Sequence, residues 1–491
     1  MSTSEGYEKL QKETSRRPHN FQQFWRGEWK DESRVPIWHQ ELRTTRRIVA
    51  KEWARTTLLL CGAILALLSI FWGAFLHVRN NLGSLVVWVV DFDGQVAPYD
   101  NGTPFVGPMV TKMAESLIET ETPHVGFGVL PAEYFDYDPI RVRSLIYQQK
   151  AWAAVMVMPN ATALLRAAVS TGNSSYDPKE ACQIVYVEAR DTTAIDTYIM
   201  PELYAFQTAV ISAVGTAWSK SVLQENLTTT QLSNIQKAPQ AIAPAIGFTS
   251  VNLRPFGPPQ VTPAVSTGLI YLIIVAFFSF SFFMPTHGHF VDQLEGHRRI
   301  YFGHLFIWKY FSTLGAYFFM SLSYSLVSLF MLVPFSRGPA SPIEPATNPS
   351  AYGHASFVVY WMVNFLGMCA LGFACENVAM LLGNPWTALW LIFWVITNVC
   401  TAFYPIELAP AFYYYGYAWP LHNVVEASRR ILFDTHSRIG LNIGVLVTWW
   451  AVNTAFFPVC AWWFRQTTLK KRHKRDLFHR AKGEKKSHVT D

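Results

Sequence analysis

Charged side chains are scarce in this chain. Asp, Glu, Lys and Arg make up 15% of its 491 residues, and 51% are hydrophobic. Soluble domains average about 25% charged residues. This shortage argues against an ordinary soluble protein and predicts an α-helical polytopic membrane protein.

Cysteine is also scarce outside the hydrophobic runs. Of the six cysteines, only Cys182 lies in the long polar segment between residues 78 and 262. One thiol cannot form an internal disulfide, so that segment must fold on its own hydrophobic core. The cysteines show no CxxC spacing, so the sequence predicts no zinc site.

Motifs for catalysis and for nucleotide binding are missing. The chain has no GxxxxGK[ST] loop, which excludes it as the ATPase of an ABC transporter. It also has no GxSxG elbow and no HExxH helix. We therefore expect no enzymatic activity, no catalytic residue and no cofactor.

Two polar clusters nevertheless invite a chemical interpretation. One is a group of carboxylates, which either forms a site or only caps turns and helices: Asp91, Asp93, Asp100 and Asp136. The other is a group of histidines, which either binds a metal or forms a solvated basic loop: His287, His289, His297 and His304. Capping is the simpler reading of the first. The second lacks further ligands beyond Asp292 and Glu295, so we predict no metal.

Six hydrophobic runs are long enough, or almost long enough, to cross a bilayer. A helix needs about 20 apolar residues to span a hydrocarbon core of about 30 Å. The predicted spans are 56–77, 265–284, 310–332, 356–375, 386–403 and 443–464. Lys309 borders the third run and is expected to snorkel towards the interface.

Basic residues and glycosylation signals orient these spans. Ten Lys/Arg lie between Arg465 and Lys486, and a second basic cluster precedes the first run. Next to spans, such clusters mark the cytosolic side and contact anionic lipid rather than nucleic acid. Four Asn-x-Ser/Thr sequons fall in the long segment: Asn101, Asn160, Asn173 and Asn226. Six spans then place the tails 1–55 and 465–491 in the cytosol and the glycosylated segment 78–262 outside. The external stretch with Arg429, Arg430 and Arg438 fits this orientation poorly.

The external segment alternates continuous apolar strands with amphipathic helices. Strands are predicted at 85–90, 124–130, 151–158 and 184–187, and helices at 108–119, 139–150, 161–170 and 195–224. This alternation predicts an α/β domain whose sheet is buried on both faces. Residues 225–263 are rich in Pro, Gly, Asn and Thr and are expected to form a return loop.

The layout of this domain and that of the chain as a whole resemble known families of membrane proteins. The layout with VVWVVDFDG after the first span and AWAAVMVMPNATALLRAAV later resembles the outer domain of type-2 ABC exporter permeases and of the phage-infection-protein group. The whole layout over about residues 50–465, with YPIELAPAFYYYGYAWPLHNVV before the last span, resembles the fungal nitrosoguanidine-resistance membrane proteins. The tails fall outside this resemblance.

The resemblance implies a permease-like function and a set of gating residues. In type-2 permeases a re-entrant or interfacial element before the last span helps to close the exit of the path. Its counterpart here is the segment 404–434, which carries over Pro405, Glu407, Pro410 and Pro420. A plain interfacial loop is the alternative. A homodimer and a separate ATPase or other membrane protein are the partners implied, besides the lipid bilayer.

Glu376 is the candidate from the residues themselves. An ionisable residue at membrane depth is costly and marks a functional site by default. If the fourth span ends at Cys375, however, Glu376 only sits at the cytosolic interface. Asn364, Asn398 and Asn453 are expected to form hydrogen bonds between helices.

Two functions follow from these observations. The first is export of, or resistance to, small toxic compounds, or lipid transport and homeostasis, at the plasma membrane. The alternative is a scaffold or sensor that transports nothing and affects drug resistance through membrane composition or partner proteins. Fold analogy alone does not separate the two.

Overall fold

The computed structural model describes residues 36–120, 123–224, 228–292, 300–383 and 385–487. The backbone alone is described for 284–285, 288–292 and 471–487. The chain forms two units, residues 1–65 and 66–491. The first long helix, α1, runs from Arg43 to Gly73.

A five-stranded mixed sheet forms the core of the domain that follows α1. The strand order is β2-β1-β3-β4-β5, with β1 parallel to β2 and β3, and β4 antiparallel to β3 and parallel to β5. The strands are β1 Val86–Asp91, β2 Gly126–Leu130, β3 Ala153–Val157, β4 Cys182–Tyr186 and β5 Phe248–Asn252. The helices of this sheet domain are α2 Val106–Ile118, α3 Pro139–Tyr147, α4 Ala161–Thr171, α5 Met200–Gln224 and α6 Thr229–Lys237.

The sheet is buried on both faces, as its continuous apolar strands predict. Val87 and Val89 of β1 pack into one hydrophobic core, whereas Trp88 and Val90 pack into a second. Helices α2, α4 and α5 contribute buried side chains to the first core and α3 to the second. Because successive side chains of a strand point to opposite faces, a strand between two helical layers must be apolar at every position.

The prediction that 225–263 is only a return loop is wrong. Helix α6 begins with a capping box, in which Thr228 and Gln231 bond each other's backbone, and β5 adds an edge strand to the sheet. In β5 only Phe248 and Val251 are buried. Its polar positions face solvent, so neither composition nor a continuous apolar run marks it as a strand.

Among the described residues, the short helix Thr262–Val265 and six longer helices follow the sheet domain. The six are α7 Ile270–Asp292, α8 Phe302–Phe330, α9 Ser356–Leu382, α10 Trp386–Ala402, α11 Pro420–Phe433 and α12 Ile439–Ser487. Helix α9 is central, because 17 of its 27 residues are buried, whereas only five of the 29 residues of α8 are buried. It packs against α7, α8, α10, α11 and α12.

Four or five elements are long and apolar enough to cross a membrane among the described residues. The four are Gln40–Ser84, which contains α1, and α8, α9 and the part of α12 up to Lys470. The segments Pro259–Val265 and Thr267–Phe283, bent by 41°, make a fifth if they act as one span. Helix α10, with 17 residues, is shorter. Several helices also extend past the hydrophobic runs, because backbone hydrogen bonding continues through polar residues.

Candidate functional site: a buried ion pair in the helix bundle

The longer α9 places Glu376 inside the bundle rather than at its edge. The helix continues to Leu382, more than a turn beyond the run that ends at Cys375. Glu376 is 2% exposed and packs towards α8. Helix α9 therefore extends beyond the predicted span 356–375, and Glu376 lies within the helix.

Lys309 of α8 is the partner of Glu376. Its Nζ lies 3.3 Å from Glu376 Oε1, and the two side chains are 10% and 2% exposed. The expectation that Lys309 snorkels is wrong, because the ammonium group turns inward to the carboxylate. Charges removed from water persist in an interior only when they are paired.

Aromatic rings and a thioether complete the surroundings of the ammonium group. Lys309 Nζ lies 5.1 Å from the ring centre of Phe280, 5.7 Å from that of Phe457 and 5.5 Å from that of Phe464. It also contacts Met380 Sδ at 3.0 Å. These contacts come from α7, α9 and α12, so the ammonium group links three helices to α8.

Asparagines form hydrogen bonds between helices of the bundle, as predicted. Asn364 Nδ2 donates to Ser325 Oγ at 3.0 Å, and Asn398 Oδ1 accepts from the backbone N of Leu421 at 3.1 Å. Asn453 accepts from Asn377 Nδ2 at its backbone O (2.9 Å) and at Oδ1 (3.2 Å). Asn377 adjoins Glu376 and was missed, because an asparagine at the end of an apolar run carries no signal of its own.

The carried-over gating residues lie at a different place from Glu376. The Glu407 backbone O accepts from Ser84 Oγ at 2.8 Å, and Asn81 Nδ2 donates to the Leu408 carbonyl at 3.0 Å, so this segment touches the sheet domain. Glu376 lies towards the far end of α9, because twenty residues, about 30 Å, separate it from Ser356 at the start of the helix. The structure therefore divides the predicted set into two regions.

Each of the three prolines in this segment begins a helix. Pro405 precedes the short helix Ile406–Leu408, Pro410 precedes Ala411–Ala418, and Pro420 opens α11. A proline suits such a position because its φ is preset and the missing N–H has no partner there to lose. Local structure thus explains these residues without a gating role.

Buried ion pairs fasten the sheet domain to the helix bundle. Arg429 of α11 lies 3.2 Å from Asp191 and 3.0 Å from Glu426. Burial alone lowers the pKa of Arg429, but the two carboxylates outweigh it and the pKa is raised. Arg430 pairs with Asp434 at 2.6 Å. The pair of Arg429 with Asp191 therefore joins α11 to the sheet domain, and the other two pairs compensate the basic charges within α11 and at its end.

The paired carboxylates at the end of β1 serve the fold. The Asp93 carboxylate accepts hydrogen bonds from the backbone N of Gly107 (3.1 Å) and of Thr162 (2.9 Å), and from the Thr162 hydroxyl. These groups begin α2 and α4, where a negative charge is favoured. Ligands of open α/β sheets bind at this kind of edge, and here the protein's own carboxylate occupies it. Capping is thus the better reading of this cluster.

Asp91 is held close to the same turn. Its Oδ1 accepts from the backbone N of Asp93 at 2.8 Å. Burial, and then the neighbouring charge of Asp93, raise the pKa of Asp91 to about 6. A Cβ at Gly107 would lie 1.9 Å from Asp91 Oδ1, so only glycine fits there.

The histidines do not come together as a site in the part of the chain that the structure describes. His287 Nδ1 accepts from Trp308 Nε1 at 3.3 Å, and His304 is exposed. The side chains of His289 and His297 lie outside the described residues. Among described residues no three His, Cys, Asp or Glu side chains form a group that could hold a metal ion.

The sequons differ in their setting. Asn101 and Asn173 are exposed, Asn160 is half-buried, and Asn226 lies outside the described residues. Thr162, which completes the sequon of Asn160, is buried and accepts from the backbone N of Phe105 (2.8 Å) and Val106 (3.0 Å). The fold needs this threonine whether or not Asn160 is glycosylated.

Comparisons with known proteins agree with a multi-pass membrane protein. The family described as "Protein of unknown function (DUF3533)" matches residues 56–455. An uncharacterized endoplasmic reticulum membrane protein of Saccharomyces cerevisiae is 27% identical over 435 residues, which cover 85% of this chain and 81% of that protein. No solved structure matches the chain. The relative is fungal, but its membrane is not the plasma membrane, and these matches show no similarity to type-2 ABC permeases.

Proposed function

This chain belongs to the DUF3533 family of proteins of unknown function, and we propose that it is a permease-like protein of the endoplasmic reticulum membrane. Its substrates would be lipids or small lipophilic toxic compounds, so that its activity contributes to lipid homeostasis or to drug resistance. The membrane is taken from the Saccharomyces cerevisiae relative, and replaces the plasma membrane expected above.

The proposed topology has six spans. They are α1, α7 with the bent segment before it, α8, α9, α10 and α12. Both tails then lie in the cytosol, in agreement with their basic residues, and the sheet domain with its sequons lies in the lumen. Helix α10 is the weakest span by length, since 17 residues reach about 26 Å.

The observation that carries the proposal is the ion pair of Lys309 and Glu376 in the bundle core. Each buried ion costs several kcal/mol of desolvation, and an apolar pair of similar volume is often equally or more stable. Stability therefore does not require this pair. Charged side chains inside membrane bundles typically line a path for a substrate or an ion.

The pair joins helices that must separate if a path opens between them. Lys309 belongs to α8 and Glu376 to α9, and the rings of Phe457 and Phe464 on α12 flank the ammonium group. Pro458 lies between these two phenylalanines, and an internal proline weakens a helix locally. We propose that the ion pair supplies the charged lining of this path and separates when the path opens, and that a bend of α12 at Pro458 accompanies the opening.

Purified protein in liposomes provides the test. Wild type should move a fluorescent lipid or a fluorescent drug faster than empty vesicles do. The variant Lys309→Met/Glu376→Met removes both charges while keeping volume, so it should fold as stably as wild type but lose the flux. A control variant, Arg141→Met, removes a half-exposed ion pair of the sheet domain and should leave the flux unchanged.

Each failure has a different meaning. A double variant that transports like wild type would remove the ion pair from the mechanism. A wild type that moves neither probe, with ATP, with a proton gradient or with neither, would refute transport. The chain has no nucleotide-binding motif, so a requirement for ATP would point to a separate ATPase, and loss of flux on dilution to one copy per vesicle would point to a homodimer.

A scaffold or sensor is the second candidate, and the fastening of the sheet domain favours it. Arg429, 12% exposed in its side chain, ties Asp191 of the sheet domain to α11. A rigidly held lumenal domain suits a platform for other membrane proteins. Under this alternative, the apolar double variant at positions 309 and 376 keeps its cellular phenotype, because no path has to open.

A further inference from the structure

Helix α8 buries polar side chains and exposes apolar ones. All five buried residues of this helix, which is described along its whole length, recur at intervals of four: Lys309, Thr313, Tyr317, Ser321 and Ser325. We call these five residues the polar seam. Large apolar side chains lie on the outer surface instead, for example Phe311 and Phe319, which are 61% and 66% exposed.

The polar seam is nearly as long as a membrane is thick. Lys309 and Ser325 are sixteen residues apart, which corresponds to about 24 Å along the helix. The hydrocarbon core measures about 30 Å. Ser328, half-buried at the sheet-domain end of the helix, extends the row of hydroxyls by almost another turn.

Most of the polar seam faces α9 and shares hydrogen bonds with it, whereas Tyr317 Oη donates to the Ala276 carbonyl of α7 at 3.4 Å. Ser328 Oγ lies 3.3 Å from Tyr360 Oη, and Ser325 Oγ accepts from Asn364 Nδ2 at 3.0 Å. Ser321 Oγ accepts from Trp361 Nε1 at 3.2 Å. At the other end, Lys309 and Thr313 face the carboxyl group of Glu376.

Two buried acceptors along this interface lack a protein donor. Asn364, 0% exposed, and Glu376, 2% exposed, each have one oxygen, Oδ1 and Oε2, with no hydrogen-bond partner among the described residues. Buried acceptors are nearly always satisfied, and polar sites of this kind take up water. Water molecules in the seam could donate to these oxygens.

We propose that the polar seam is a proton path from the sheet-domain side of the membrane to Glu376. Successive residues of the polar seam lie one turn, about 6 Å, apart along α8, roughly twice the length of a hydrogen bond. One water between successive hydroxyls therefore completes a chain of donors and acceptors. This inference deepens the proposed function by naming the coupling ion, and it rests on that function for its role in transport.

The chemistry consists of one proton transfer. A proton enters beside Ser328 and Tyr360, is relayed by hydroxyls and waters, and forms an O–H bond on the Glu376 carboxylate. Lys309 keeps its own proton and loses its counter-ion, so the ion pair opens. Release of the proton to the far side breaks that O–H bond and restores the pair.

Charged and titratable groups from the surrounding helices bear on Glu376. Lys309 and Tyr317 face it from α8. His287 of α7 and Cys460 of α12 interact electrostatically with the ammonium group of Lys309. The ammonium group at 3.3 Å opposes protonation while the pair is closed. Proton binding at Glu376 is therefore coupled to separation of α8 from α9.

Proton flux into liposomes tests the path without any transported substrate. Vesicles contain a pH-sensitive dye, and a potassium gradient with valinomycin drives protons inward. We expect wild type to acidify the lumen at least tenfold faster than empty vesicles, Glu376→Gln to abolish this flux, and Ser325→Ala to lower it at least fivefold. The matched control is Ser323→Ala, since Ser323 is exposed on the same helix. Monodispersity and thermal unfolding confirm that each variant folds.

Several outcomes would overturn the inference. Wild type that leaks no faster than empty vesicles has no proton path. Equal flux in Ser325→Ala and Ser323→Ala would leave the polar seam as hydrogen bonding between helices. Lipid or drug flux without proton flux would support the proposed function and refute the proton path. Proton flux without lipid or drug flux would support the proton path and refute the proposed function.

Discussion

The most demanding structural prediction concerns Arg254, which follows β5 and is 0% exposed. Its guanidinium group donates to the Asp434 backbone O at 3.1 Å and lies 3.4 Å from Asp434 Oδ2. It also donates to four further carbonyls, those of Leu253, Ala340, Ser341 and Glu344, at 2.8–3.2 Å. Arg254 thus joins the sheet domain, the loop between α8 and α9, and the end of α11.

We expect Arg254→Met to cost about 3 kcal/mol of stability at this junction. Asp434 keeps Arg430 as a partner at 2.6 Å, so no carboxylate is left uncompensated, which would cost about 3–5 kcal/mol. Hydrogen bonds from a charged donor contribute about 1.5–3 kcal/mol each, and part of this is regained when carbonyls find water. Arg254→Lys should recover little, because an ammonium group lacks the planar fork of five donors.

Hydrogen–deuterium exchange of the full-length protein in detergent or nanodiscs measures this effect. A local loss of about 3 kcal/mol raises the opening constant of the loop 338–348 by about two orders of magnitude, at about 1.4 kcal/mol per factor of ten. Arg141→Met is the control, because the Arg141 side chain is 52% exposed. Unchanged exchange of the loop in Arg254→Met would refute the reasoning.

Three further predictions concern the sheet domain. Asp91→Asn should flatten the pH dependence of stability. The pKa of Asp91 is about 6 in the folded protein against a reference value of 3.8, so the wild type loses stability as the pH rises from about 4 to about 6. Equal thermal midpoints of wild type and variant at both pH 4.5 and pH 7.5 would contradict this prediction. Asp191→Asn should lower the unfolding free energy by about 2 kcal/mol, since it breaks the buried pair with Arg429 while Glu426 remains; denaturant unfolding with no shift would exclude a role for that pair. Thr162→Val should destabilise the protein by about 3 kcal/mol, because a buried carboxylate loses a donor and two backbone N–H groups lose an acceptor. Thr162→Ser keeps the hydroxyl and the sequon and should stay near wild type in thermal unfolding. Equal effects of the two substitutions would argue against a role for the hydroxyl.

Much of the sheet domain could be predicted because its signals are local. Strands β1 and β3 consist almost wholly of Val, Trp, Ala and Met and are followed by Asp-Gly or Pro-Asn, and such continuous apolar runs are typical of a strand covered on both faces. Strand β5 could not be predicted in this way. Two of its five residues are exposed, and its place depends on hydrogen bonding to β4, whose paired residues lie 66 positions earlier in the chain.

The sequence marks one of the two residues of the buried ion pair but not the other. Glu376 is an ionisable residue at the end of an apolar run, and this alone marks it as unusual. For its partner Lys309 the sequence favours an interfacial position, because a lysine near a helix end can reach water. Their positions along the helices could have predicted the contact. Lys309 lies seven residues from the start of α8, and Glu376 lies six residues from the end of α9. If the two helices are adjacent and antiparallel, these residues lie at the same height along the helix axes.

The sequence by itself determined that this is a membrane protein with several apolar helices and a separate α/β domain. Hydrophobicity and strand periodicity are properties of neighbouring residues and need no tertiary contact to be read. The tertiary structure alone decided which charges are buried and with which partners. Lys309 and Glu376 are 67 residues apart, and Arg254 and Asp434 are 180 apart. A charge can stay in a low-dielectric interior only if the fold brings an opposite charge or a set of dipoles within a few ångströms, and that distance is a property of helix packing, not of the local sequence.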